Sequence, residues 1–176
     1  IGGAVVSCAT AGTANTAGIV ANQGNDGLIE SVAVEACGNV AEPTTGGILI
    51  NNATKLTLNK VPFEFNKNYQ IKTAGGTTDM GLSIIDPSFL GGGITTTAVI
   101  LDGGPVGVRL VGANSSGHTN FLSILSTVQK LEVSNNLTSD TNYLVQASYN
   151  NSSVLAWRFD DLQYSPQNLI KSPPPS

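Results

Sequence analysis

Lys55-Leu56-Thr57-Leu58-Asn59-Lys60-Val61-Pro62-Phe63-Glu64-Phe65-Asn66-Lys67-Asn68-Tyr69-Gln70-Ile71 alternates apolar and polar residues three times in succession. Leu56 with Leu58, Phe63 with Phe65 and Tyr69 with Ile71 each repeat at a spacing of two, the side-chain period of a β-strand with one buried face. The same period recurs at Val106 to Leu110, Leu131 and Val133, Tyr143 to Tyr149 and Val154 to Phe159. The short runs are separated by turn signals at a spacing of roughly 8 to 12 residues, and the breakers include Thr44-Thr45-Gly46-Gly47, Ala74-Gly75-Gly76, Gly91-Gly92-Gly93, Asp102-Gly103-Gly104-Pro105 and Asn114-Ser115-Ser116-Gly117. Phe121 to Lys130 is the one segment whose residues suit either helix or strand.

That pattern predicts an all-β fold of about ten strands. Because alternation implies one wet face per sheet, the expected architecture is an antiparallel β-sandwich, immunoglobulin-like or jelly-roll, with a barrel as runner-up. At 176 residues the chain fits one domain, able to bury about 70% of the surface its unfolded form exposes. The expected organisation is an arm of small residues over 1–27, a sandwich over 28–171 and a Pro-rich tail over 172–176. Trp157, in the strand Val154 to Phe159, is expected to anchor the core.

Charged residues make up only 11% of the chain, while Asn, Ser and Thr number 50. A surface hydrated by amides and hydroxyls suits an extracellular or cell-surface protein. The net charge is −4 and the eight Lys and Arg are scattered, which argues against a nucleic-acid partner. The longest apolar runs, such as Ala98 to Leu101, fall far short of the roughly 20 residues that span a bilayer. The chain begins at Ile1, from which removal of a leader is expected. Cys8 and Cys37 form an even pair. In an oxidising compartment their disulfide, within or between chains, would stabilise the fold by roughly 3 to 4 kcal/mol.

Chemistry is thin. His118, the only histidine, stands in a Gly- and Ser-rich stretch and reads as an exposed spacer. Ser115 and Ser116 lack the glycine two positions upstream that a nucleophile elbow requires. Asp160 and Asp161 would point to opposite faces of a strand, an unsuitable pair for glycoside hydrolysis. Asn22-Gln23-Gly24-Asn25-Asp26-Gly27 lacks the closing Glu of a calcium loop, since Ala33 stands there, and reads as an ordinary loop. Two cysteines and one histidine without close pairing do not make a zinc site. The expectation is a non-enzyme with no cofactor and no metal. Asn-x-Ser/Thr acceptors occur at Asn52, Asn114, Asn136, Asn150 and Asn151, so glycans are candidate partners.

The small-residue arm supplies apolar contacts at Ala4, Val5, Val6, Ile19 and Val20. It is expected to pair with an open sheet edge, either on a neighbouring copy or on its own body. In composition and layout over its whole length, though by no diagnostic motif, the chain resembles donor-strand pilins, especially the glycosylated thread-like pili of archaea. That resemblance implies an extracellular subunit polymerising into a filament through strand donation, a homo-oligomer of identical copies. Two other readings stay open: a secreted carbohydrate-binding, lectin-like sandwich, for which aromatics at 6% are few, and a viral capsid or spike jelly roll.

Overall fold

The computed structural model describes residues 5–7, 17–22, 26–51, 55–74, 81–91, 97–103, 107–126, 128–139, 143–147, 156–160, 163–164 and 170–171. All twenty strands within them belong to three parallel sheets. Sheet A stacks β3 (Gly27–Glu30), β6 (Lys55–Asn59), β9 (Gly81–Ile85), β12 (Gly107–Val111), β15 (Lys130–Ser134) and β18 (Ala156–Asp160). Sheet B stacks β1 (Val5–Ser7), β4 (Ala33–Glu35), β7 (Pro62–Glu64), β10 (Ser88–Leu90), β13 (Asn114–Ser116), β16 (Leu137–Thr138) and β19 (Gln163–Tyr164). Sheet C stacks β2 (Ala17–Asn22), β5 (Gly46–Asn51), β8 (Tyr69–Ala74), β11 (Thr97–Leu101), β14 (Asn120–Ile124), β17 (Tyr143–Ala147) and β20 (Ile170–Lys171).

The chain visits A, B and C in turn, then begins the circuit again one layer higher. It is a β-solenoid, not an antiparallel sandwich. Each strand pairs with the one three elements later, as Val34 does with Phe63 and Asn120 with Tyr143. The physical source of the difference is plain. Alternation demands only that each sheet have one wet face, and a coil wound around its own core supplies that to parallel strands as well as a sandwich does to antiparallel ones. The regularly spaced turn signals are coil corners rather than hairpins. The jelly-roll and lectin-sandwich alternatives lose their architectural ground with the sandwich.

Inward residues form columns along the axis. On sheet A one column is Ile29, Leu58, Ile84, Leu110 and Val133; on sheet B, Val34, Phe63 and Phe89; on sheet C, Ile48, Ile71, Val99, Leu122 and Val145. All are buried. The Phe63 and Phe89 rings lie 5.3 Å apart and tilted, and Phe121 meets Phe89 edge-on at 6.5 Å. Phe121 and Leu122 are both buried although adjacent: the pairing of the C strands runs Thr97↔Asn120 and then Val99↔Leu122, passing over Phe121 and Ala98, which is buried as well. The Phe121 to Lys130 segment thus begins and ends in strands. The backbone of Trp157 pairs with Leu131, but the burial expected of its side chain lies outside the described residues.

The corner from A to B has the same two-residue form in every described coil: Ser31-Val32, Lys60-Val61, Asp86-Pro87, Gly112-Ala113, Asn135-Asn136. The first residue is left-handed, with φ from 49° at Asp86 to 72° at Gly112, and the second is buried. Only one of the five is glycine. A left-handed L-residue costs roughly 1–2 kcal/mol, and here each N–H is held in the ladder. Ser31, Lys60, Asp86, Gly112 and Asn135 donate to the carbonyls of Asn59, Ile85, Val111, Ser134 and Asp160 at 2.8 to 3.1 Å.

The corner from B to C varies in length. Its longest described form, residues 36–45, folds over Tyr69, whose ring rests on Gly46 and whose hydroxyl donates to the Thr44 carbonyl at 3.0 Å. Asn68 pins this loop, its amide nitrogen donating to the carbonyls of Asn39, Glu42 and Thr45. Burial holds the Tyr69 phenol well above the ordinary tyrosine range. Above about pH 10 the unfolded chain therefore releases a proton that the folded chain keeps, and stability present below that pH falls as pH rises, by up to about 1.4 kcal/mol per unit. Between pH 9 and pH 11 the urea midpoint should fall less for Tyr69→Phe than for the parent; equal falls would contradict the assignment.

Candidate functional site

His118 is buried, 1% exposed, rather than the surface spacer its neighbours suggest. Its Nε2 lies 2.8 Å from Gln70 Nε2 and its Nδ1 lies 3.3 Å from Ser115 Oγ. Gln70 Oε1 accepts from Asn66 Nδ2 at 2.6 Å, so it is the NH2 end of Gln70 that faces the imidazole. The Nε2 must then carry the lone pair, leaving the proton on Nδ1, directed at Ser115. A serine beside a histidine evokes nucleophilic chemistry, but Ser115 too is 1% exposed. The basic nitrogen is held by Gln70 and both groups lie inside the coil, where the network ties Gln70 on β8 to Ser115 on β13.

Two asparagines do similar structural work. Asn66 accepts the Cys37 N–H at 2.8 Å and donates to the Val34 carbonyl at 2.8 Å. Asn136 accepts the Ala113 N–H at 2.8 Å and donates to the Leu110 carbonyl at 3.4 Å. In both cases the clasped groups flank a left-handed corner residue, Ala36 or Gly112. The side-chain amide takes the place of a missing rung of backbone ladder.

The outer faces hold scattered charge. Lys55 meets Asp26 at 2.9 Å, Arg109 meets Glu132 at 3.3 Å, and Arg158 pairs with Asp160. Asp160 thus serves a surface ion pair, while Asp161 lies outside the described residues. Among those residues no group of three or more His, Cys, Asp or Glu could hold a metal, and no helix is long and apolar enough to cross a membrane. Asp26, in the stretch weighed as a calcium loop, is exposed and bound to Lys55.

The residues assigned to an assembly arm are part of the solenoid. Val5 and Val6 pair with Ala33 and Val34; Ile19 and Val20 pair with Ile48 and Leu49. Val6, Ile19 and Ala21 pack on the core, Val20 is 40% exposed, and Ala4 lies outside the described residues. Backbone pairing decides this: parallel ladders with the chain's own next coil already use one edge of each arm strand. The other edges of β1, β2 and β3 have no strand partner among the described residues. The core is less covered at this end. Val6 and Ile19 are half-buried, whereas their counterparts one coil on, Val34 and Ile48, are wholly buried.

Cys37 is fully buried and disulfide-bonded; Cys8 lies outside the described residues. Pairing of the two should leave no reactive thiol in denatured, unreduced protein, and reduction should lower stability by about 3 to 4 kcal/mol. Two free thiols per chain would contradict it. Of the glycan acceptors, Asn114 is exposed on β13 and Asn136 is 1% exposed inside the coil. Asn136 is thus unsuited to carry a glycan in the folded protein, since its amide is consumed by the backbone clasp. Asn52, Asn150 and Asn151 lie outside the described residues.

Sequence reasoning missed the buried roles of Asn66 and Gln70 and read Asn136 only as a glycan acceptor, although Gln70 and Asn136 each adjoin an apolar strand residue. Compared with models of known families, with curated proteins and with solved structures, the chain matches none.

Proposed function

We propose that the chain is an extracellular structural element that assembles end to end with further copies of itself, coil stacked on coil. The observation that carries this reading is the terminal coil. Among the described residues, three of its strands present unpaired backbone edges around half-buried Val6, Ile19 and Ala21. Solenoid repeats bury their cores only against neighbours, and an uncovered end is a template for another strand. Contact of one end with the opposite end of the next copy is heterologous, so it propagates as an open fibre. The low-charge surface and the disulfide support an extracellular setting. Strand donation by a detached arm has no part in this version.

Negative-stain microscopy and light scattering over a concentration series test the idea. Rods that lengthen with concentration are expected. Ile19→Lys should abolish them, because its ammonium reaches water at a free end but is entombed in a stacked one; circular dichroism checks that the subunit stays folded. Monomers of the parent at every concentration would sink the proposal.

One observation favours glycan binding as a second reading. Phe65 has φ 54° and is 45% exposed. The left-handed backbone is shared with Ala36, the first residue of the preceding B-to-C corner, and is held the same way, the Phe65 N–H donating to the Leu90 carbonyl at 2.9 Å; what distinguishes Phe65 is an aromatic ring left half in water. Its ring would stack on a sugar face. Phe65→Ala should then abolish retention on neutral glycan arrays without altering the thermal midpoint by more than a few degrees; unchanged retention, or no retention by the parent, rejects it.

A further inference from the structure

The two described glycan acceptors are sorted by strand register. In Asn-x-Ser/Thr the amide and the hydroxyl stand at the period of a strand, so both fall on one face. Asn136 and Thr138 both face inward, 1% and 4% exposed. Asn114 and Ser116 both face outward on β13, with Asn114 exposed and Ser116 half-buried. The residue between them, Ser115, is the one that is buried.

We infer that Asn114 is an N-glycosylation site whose first sugar lies over Leu137. Asn114 follows the corner at Gly112-Ala113, on the ridge between sheets A and B, where a transferase meets no overhanging side chain from the same column: its register neighbours are exposed Ser88 and exposed Leu137. Leu137 is 52% exposed, a large apolar residue one strand spacing away, about 4.8 Å. A sugar on Asn114 would cover it. In the transfer, the Asn114 amide nitrogen attacks the anomeric carbon of an oligosaccharide carried on a lipid phosphate or pyrophosphate. A C–N bond forms, the sugar–phosphate C–O bond breaks, the lipid phosphate leaves with the bonding pair, and the amide proton passes to a base of the membrane transferase. No oxidant or reductant is needed. The inference shares the extracellular premise of the proposed function but not the stacking, so rods formed by unmodified protein leave that reading intact.

The test is secretion of the full chain from yeast, with glycosidase release in heavy-oxygen water and peptide mass spectrometry of the folded fraction. Asn114 should be labelled in most chains and the peptide bearing Asn136 should be unlabelled, while N114Q loses the label. Removal of the glycan should lower the thermal midpoint by about 2 to 4 °C in the parent and by much less in Leu137→Ser. Unlabelled Asn114 in folded, secreted protein overturns the site; an equal fall in both proteins overturns the contact with Leu137.

Discussion

Phe89→Ala is expected to cost about 3 to 5 kcal/mol, read from the urea midpoint. The ring is 1% exposed and touches Phe63 on the preceding coil and Phe121 on sheet C, at 5.3 and 6.5 Å between centroids. Removing it opens a cavity where the column cannot close, since the inter-coil spacing is set by backbone hydrogen bonds. Aromatic pairing adds roughly 0.5 to 1.5 kcal/mol per contact beyond the area buried. Because coils touch only their neighbours, the loss should also weaken coupling between the two halves of the solenoid. A drop in the slope of the urea transition would report that. A cost less than half the lower bound would show the column to be more plastic than its geometry implies.

Asn66→Ala should rival it. The substitution strands the Cys37 N–H and the Val34 carbonyl inside the coil, at about 1 to 3 kcal/mol each, and removes a partner from Gln70. Asn66→Asp should be worse near neutral pH: one carboxylate oxygen still accepts from Cys37, but the other faces the Val34 carbonyl and Gln70 Oε1, both acceptors. Asn59→Ala is the control, since that amide makes an exposed contact to Glu30 and its loss should cost under about 0.5 kcal/mol. If Asn66→Ala and Asn59→Ala cost the same, the buried clasp is not holding the corner.

Much of the strand content was legible. Leu56 and Leu58, Leu131 and Val133, and Tyr69 and Ile71 all lie in strands at the expected period. Parallel order was not, because Leu56 pairs with Leu82 rather than with a neighbour across a turn, and nothing local in a strand names its partner. The chain does repeat, once per circuit, yet the residues that mark each repeat at its corner are Ser31, Lys60, Asp86, Gly112 and Asn135. These share a backbone conformation and no side-chain chemistry, so no motif marks them. His118 was misread for a related reason: glycine and serine usually signal an exposed turn, whereas Gly117 here lets two coils approach closely. A Cβ on Gly91 would stand 2.2 Å from the Gly117 carbonyl oxygen.

The fixed two-residue corner between sheets A and B also governs how the chain can change over generations. A single residue gained or lost there would turn the following strand over, sending Phe63 or Phe89 to solvent and Glu64 or Leu90 inward. At the corner between B and C, spans as different as 65–68 and 36–45 are already accommodated. Insertions and deletions should therefore accumulate along the other ridges and be purged from this one. Whole circuits are the other unit of tolerated change, each lengthening the rod by about 4.8 Å without disturbing the faces of those around it.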